Sequence, residues 1–255
     1  MAQAGWQPVQ RVRAHEQVMT QIEERIISGE LSAGDHLPNE RELATLLGVS
    51  RPSLRESLRV LEALGIVDVR RGGEGGAVLM GTPGSGFVNL LKLQLALGQF
   101  DQKHVLETRI ALETWSSREA AERSSEVDHS DLSEILDQMD ADDIEAPAFN
   151  ALDVAFHVRI AESTGNSLCA HLMHSLRTAI NRQMINAYKQ LPDWRETAKV
   201  VREEHRSLLH AIINGDSGDA FERAHKHITD FYELGTIDLR PREEYRRPAA
   251  KEQTQ

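Results

Sequence analysis

The 255-residue chain holds a single cysteine, Cys169, so no disulfide framework within the chain is available to it. No apolar run approaches the ~18 residues that a membrane-spanning helix needs. The opening MAQAGWQPVQRVR lacks the apolar stretch of a secretory signal. These absences predict a cytoplasmic protein with no membrane partner. Positive charge is also in deficit, with a net charge of −11, which at first argues against nucleic acid. The deficit is uneven, however. Residues 1–80 contain nine Arg, no Lys and eleven acids, against twenty basic and twenty-nine acidic residues in 81–255. Between Arg41 and Arg71, six Arg stand against four acids. Exposed charges more than about 8–10 Å apart are screened at physiological salt, so a basic strip on an acidic protein still binds phosphate. The acidic remainder would suppress loose binding to any DNA. Charge alone does not separate such a strip from an ordinary solvated face.

An apolar fraction of 40% and a charged fraction of 27% are ordinary for a soluble chain, and the length fits two small domains. Val12, Val18, Met19, Ile22 and Ile26 recur at helical spacing, and Gly29 reads as a stop. Asn39 with Glu42 resembles a capping pair opening a second helix, which ends at Gly48. Ser50 or Ser53 can cap a third helix, and Ser53-x-x-Glu56 has the form of a capping box. Leu54, Leu58 and Leu61 give that helix an apolar stripe, and Gly65 ends it. IVDVRR reads as a strand, GGEGG as a turn and AVLM as the returning strand. MGTPGSG then reads as a linker. Beyond it the spacing predicts helices over about 87–98, 101–123, 130–139, 148–163, 167–190, 193–213 and 217–234, with no strand-like alternation. The expected organisation is a flexible 1–10, a winged helix-turn-helix at 11–80, a linker at 81–86, an all-helical antiparallel bundle at 87–236 and a disordered polar tail at 237–255. The fold class is mainly α.

Two short helices joined at Gly48 and followed by a two-stranded wing can read DNA. The second helix of such a pair enters the major groove, and its N-terminal residues meet base edges. Here those residues are Ser50, Arg51, Ser53 and Arg55. Arg can donate two hydrogen bonds to guanine, and the serine hydroxyls and free helix N–H groups can hold a phosphate. Arg41 opens the preceding helix and could reach the backbone. Arg70, Arg71 and Gly72 fall at the wing tip. The stretch LPNERELATLLGVSRPSLRESLRVLEALGIVDVRRGGEGGAVL resembles the DNA-binding domain of the GntR family of transcriptional regulators. That resemblance implies DNA contacts by Arg41, Arg51, Ser53, Arg55 and Gly72, and a double-stranded operator as partner. Two departures stand out. Pro52 replaces a hydroxyl residue that can touch phosphate, and Glu74 in the wing would repel the backbone.

The second half carries an arrangement with chemical content. Asp153 and His157 lie four apart, so they share one helix face, and Phe149, Leu152, Phe156 and Ile160 make that face apolar. An aspartate turned into a core costs several kcal/mol unless it is paired or bound to a metal. HRSLLHAIINGDSGDAFERAHKH reads as a helical hairpin turning at Gly215-Asp216. His205 lies ten residues before Gly215 and His227 twelve after it, which places both about 15–18 Å from the turn on antiparallel helices. One Asp and three His suit a divalent transition metal, zinc first and nickel or manganese next. His171, His174, His210 and His225 compete with these, and each histidine alone is more often a packing residue.

The region 87–234 is similar to the FCD effector domain of the FadR-type branch of the GntR family. ETRIALE, DVAFHVRIAESTGN, EEHRSLLHAIINGD and AHKHI carry the similarity. It implies Asp153, His157, His205 and His227 as metal ligands, and its spacing selects His227 over His225. It also directs Arg109 toward the ligand cavity, where its fork would pair with an effector carboxylate. A buried ion pair of Arg109 with Glu113 or Glu107 is the alternative. Fatty-acyl-binding relatives lack the metal ligands, so the resemblance points to a small organic acid. The combined expectation is a homodimeric repressor on a palindromic operator, switched by effector binding. The rivals are a metal-dependent hydrolase fused to a DNA-binding module, and an architectural DNA-binding protein whose helices only dimerise.

Overall fold

Arg13 starts the first helix, its backbone N–H donating to Glu16 Oε2 at 3.2 Å. This helix, α1 (Ala14–Ile27), ends before Gly29, whose positive φ lets the chain turn back. The computed structural model describes residues 13–69, 76–141, 143–191 and 193–233, and it divides into two compact units between Phe87 and Val88. Val12, Arg70, Arg71, Gly72, Glu74, the N-terminal 1–10 and the tail from 237 lie outside the described residues.

In the first unit, Asn39 caps α2 (Glu40–Leu46). Its side chain accepts from the Glu42 N–H at 3.0 Å and donates back to Glu42 Oε2 at 3.3 Å. Ser50 caps α3 (Arg51–Ala63), accepting from the Ser53 N–H at 3.2 Å. The expected Ser53-x-x-Glu56 capping box does not form, because Ser53 already lies inside the first turn. Pro52 also sits in that turn, where the N–H it lacks would have had no carbonyl partner. β1 (Val67–Val69) and β2 (Ala77–Leu79) pair antiparallel with Val67 opposite Leu79. On the other edge of β2, Leu37 N–H donates to Ala77 O and Leu79 N–H to Asp35 O. Gly65, between α3 and β1, has φ +76°, and a Cβ there would stand 2.7 Å from Gly84 Cα. Only glycine permits that backbone approach. Val18, Ile22, Leu43, Leu54, Leu58, Leu61 and Val67 form the core of this unit. Each such aliphatic contributes about 1.5–3 kcal/mol on burial.

Among the described residues seven helices follow: α4 (Gly86–Ala96), α5 (Gln102–Glu122), α6 (Ser130–Met139), α7 (Ala146–Ser163), α8 (Ser167–Gln190), α9 (Trp194–Ile213) and α10 (Ser217–Glu233). Side-chain caps fix several starts. Asp101 accepts from Lys103 N–H, Asn166 from Cys169 N–H and Asp193 from Glu196 N–H. α7 begins two residues before the expected position, since Pro147 is accommodated in its first turn. α4 opens at Gly86, inside the segment expected as linker. α10 packs along α5, and α7 along α8. Gly215, at φ +72°, turns α9 back into α10 as a hairpin. The core holds Leu132, Leu136, Phe149, Phe156, Ile160, Ile180, Leu208 and Ile212. No described helix is long and apolar enough to cross a membrane. The architecture is mainly α, a winged helix-turn-helix followed by an all-helical domain.

Candidate metal centre and nucleic-acid interface

α7 carries Asp153 and His157 one turn apart, and the α9–α10 hairpin carries His205 and His227. All four are buried, and one ligand atom from each lies within 4.8 Å of the others. The closest approaches use Nε2 of every histidine. His157 Nε2 is 3.3 Å from His205 Nε2, which is 3.2 Å from His227 Nε2. Asp153 Oδ1 lies 3.4 Å from His205 Nε2 and 3.7 Å from His157 Nε2. Four donors about 2.0–2.1 Å from one tetrahedral ion stand about 3.3–3.4 Å apart, so these separations suit one.

The far sides of the rings make that fit specific. His157 Nδ1 lies 3.0 Å from Glu113 Oε2, and His227 Nδ1 lies 2.7 Å from Glu204 Oε2. A carboxylate accepts, so both Nδ1 atoms carry the proton and both Nε2 atoms present lone pairs. His205 Nε2 can donate to only one neighbour at a time. Two ring lone pairs and a carboxylate oxygen thus share at most one His205 Nε2–H, and with the His205 proton on Nδ1 all four atoms are lone-pair donors that a cation would hold together. The carboxylate–histidine pairs are also the usual outer support of a metal site. His205 Nδ1 departs from this pattern, being buried with no partner.

Arg177 of α8 binds the site together. Its Nη1 donates to Asp153 Oδ2 at 2.6 Å and its Nη2 to Glu113 Oε2. Asp153 is thereby left with Oδ1 for a metal. Glu113 Oε1 accepts from Arg109 Nε at 2.8 Å. Of the two expectations for Arg109, the structure has the buried ion pair with Glu113, and its Nη1 turns to Tyr232 Oη at 3.4 Å. Burial alone would raise the Glu113 carboxyl, but Arg109 and then Arg177 hold it well below the usual range. Burial would lower Arg109, and the charge and hydrogen bonds of Glu113 and Tyr232 together more than offset it. Burial, helped by Arg177, pushes His157 down to about 4, and burial pushes His205 well below its ordinary value. Both rings are therefore neutral near pH 7, ready to ligate without losing a proton. Among the competing histidines, His225 stacks on Phe221 and His210 bonds Asn214, outside this cluster.

Arg177, Glu113 and Glu204 were not singled out as site residues by sequence. Arg177 is 24 residues from Asp153 and 64 from Glu113, so no local spacing marks it. Glu113 carried a signal, the i,i+4 relation to Arg109. Glu204 stands next to His205, yet it serves His227 on the facing helix.

In the first unit, Arg41, Ser50, Arg51 and Arg55 are exposed and Ser53 is half-buried. Ser50 and Ser53 hydroxyls lie 2.8 Å apart, so part of their hydrogen-bonding capacity is spent on each other. Arg55 Nε donates to Glu40 Oε2 at 2.7 Å, while 59% of its side chain stays exposed. Arg59, one turn on, extends the same exposed stripe. Arg71 and Gly72 are outside the described residues.

Residues 14–76 match the family described as bacterial regulatory proteins, gntR family, and residues 104–230 match the FCD domain. The chain is 30% identical to the HTH-type transcriptional regulator Mce2R of Mycobacterium tuberculosis, covering 91% of this chain and 94% of that protein. It is 29% identical to the HTH-type transcriptional regulator LutR of Bacillus subtilis, covering 80% and 93%. Among solved structures, a Streptococcus agalactiae GntR superposes with a TM-score of 0.58 at 25% identity, covering 86% of this chain and 99% of that one.

Proposed function

The chain belongs to the gntR family of bacterial regulatory proteins and is a DNA-binding transcriptional regulator, and from that premise we propose that it represses from a palindromic operator as a homodimer, under control of a small organic acid held beside a divalent metal. On this reading Asp153, His157, His205 and His227 hold the metal, zinc first, with nickel and manganese next. When bound, the ion supplies a positive centre with coordination positions open to a carboxylate.

The observation that carries this reading is the convergence of three Nε2 atoms and Asp153 Oδ1, all buried, with at most one hydrogen-bond donor among them. Charge arithmetic supports an anionic effector. The buried carboxylates Asp153 and Glu113 are matched by the buried guanidinium groups Arg109 and Arg177. A divalent ion therefore leaves uncompensated positive charge in a water-poor interior, which an organic acid would neutralise. Arg109 spends Nε on Glu113 and turns Nη1 to Tyr232 at 3.4 Å, and an effector carboxylate would take the place of that longer Tyr232 contact.

On the DNA side, Arg51 and Arg55 read base edges while Arg41, Ser50 and Ser53 hold phosphates; Arg71 and Gly72 are proposed from resemblance alone. Arg55 must exchange Glu40 for its base. The hydrolase rival is not favoured: Glu113 is locked by two arginines, and Glu204 is engaged by His227 Nδ1 at 2.7 Å, so neither carboxylate beside the cluster is spare to act as a general base.

The test is operator affinity of the metal-loaded protein, titrated with a panel of mono-, di- and tricarboxylic acids. A shift in affinity with one class, lost in chelator, is expected. Affinity indifferent to every acid and to metal removal would reject the effector reading.

A further inference from the structure

The four ligands are not equally enclosed. Asp153 and His157 are clamped by the Arg177–Glu113–Arg109 ion pairs, all of them buried. His205 is completely enclosed, with Phe156 tilted against it at 4.7 Å between ring centroids. His227 is different. It borders a groove of about 230 Å³ between α9 and α10, lined by Val200, Glu203 and Glu204 on one side and Arg223 and Lys226 on the other. Its Nδ1 partner Glu204 is 27% exposed, whereas the Nδ1 partner of His157 has no exposure.

The groove is polar and carries both signs of charge. Arg223 is paired with Asp219 at 2.6 Å, and Lys226 with Asp230. Each cation thus has a carboxylate on its own helix, while Glu203 and Glu204 line the α9 wall of the groove, with Glu204 holding His227. Swinging His227 outward breaks its hydrogen bond to a partly solvated carboxylate and its contact with His205, but uncovers no buried ion pair. Moving His157 instead would disturb a buried network of four charges, and uncovering a buried charge costs several kcal/mol.

We propose that the metal is loaded and released through the α9–α10 groove, with His227 as the ligand that swings and Glu204 as the carboxylate that first receives the ion. Glu204 then takes back the Nδ1 proton donor as His227 closes over the metal. This rests on the metal reading above. It assigns the other three ligands the role of a fixed half-site.

The experiment uses the full-length protein stripped with chelator and reloaded with zinc. Loading is followed by stopped-flow with a zinc indicator, release by a chromophoric chelator, and affinity by competition at equilibrium. Val200→Trp fills the groove wall at a position 46% exposed, and Leu168→Trp places the same bulk on α8, outside the groove lining, at a position 66% exposed. Val200→Trp is expected to slow loading and release together, several-fold, with affinity unchanged; Leu168→Trp leaves both rates alone. Glu204→Gln is expected to weaken affinity about tenfold or more, as loss of an outer-shell partner does, with slower loading as well as faster release. A purely orienting Glu204 would change release only, and that result removes its receiving role. Wild-type rates in Val200→Trp, with full zinc stoichiometry, overturn the route. Absence of any stoichiometric metal in the wild type overturns the metal reading itself, and the route with it.

Discussion

Arg51 and Arg55 share an exposed face of α3 but start from different states. Arg55 is already bonded to Glu40, so meeting a base costs it an ion pair, about 0–1 kcal/mol at such an exposed site. Arg51→Ala and Arg55→Ala should each lose about 1–3 kcal/mol of operator affinity and relax base preference. Fluorescence anisotropy on operator and scrambled duplexes checks this, and equal loss on both would make the two residues phosphate contacts. At the metal centre, His157→Ala should abolish stoichiometric metal in elemental analysis; full occupancy would reject the ligand set. The metal-free protein should also be acid-sensitive in a definite direction. His157 falls from its ordinary 6.5 to about 4 in the fold, so the unfolded chain takes up its proton first. The stability linked to this ring is complete above about pH 6.5 and drains away as pH falls toward 4. His205 shifts the same way and adds to the loss as the pH falls. Urea melts between pH 7 and pH 4 in chelator read this out, and a flat profile would contradict it.

Helix starts were legible wherever one residue decides them. Asn39 announces its helix through its own side chain, and so do Asp101, Asn166 and Asp193. Where two candidates competed, local pattern did not choose. Ser50 and Ser53 both have the right chemistry; Ser50 is the cap, its hydroxyl accepting from the Ser53 N–H, which places Ser53 inside the first turn. Ser50→Ala should therefore cost about 0.5–2 kcal/mol in thermal or urea unfolding, whereas Glu56→Ala should cost almost nothing. That Asp153, His157, His205 and His227 come together was legible in part from local geometry, i,i+4 spacing and a hairpin, whereas the choice of His227 over His225 came from the family resemblance. Arg177 was not, since its role arises only when α5, α7 and α8 pack together. The i,i+4 pair Arg109–Glu113 could be read as a pair, but the proton it organises on His157 could not.

For the whole molecule, a twofold dimer on DNA demands two half-sites about one helical turn apart. Sedimentation should give a dimer, and footprinting two protected half-sites at that spacing; a monomer protecting a single half-site would count against the palindromic reading. One feature of the helical domain bears on how it comes to be folded. His205 and His227 are only 22 residues apart and sit on one hairpin, while His157 is 48 residues before His205. Short loops close at lower entropic cost and sooner than long ones. The growing chain thus acquires a two-histidine grip, with Glu204 beside it, the moment α10 folds back on α9. A cation captured at that stage would template the docking of α7, making metal supply during synthesis, and not only in the finished protein, a determinant of yield.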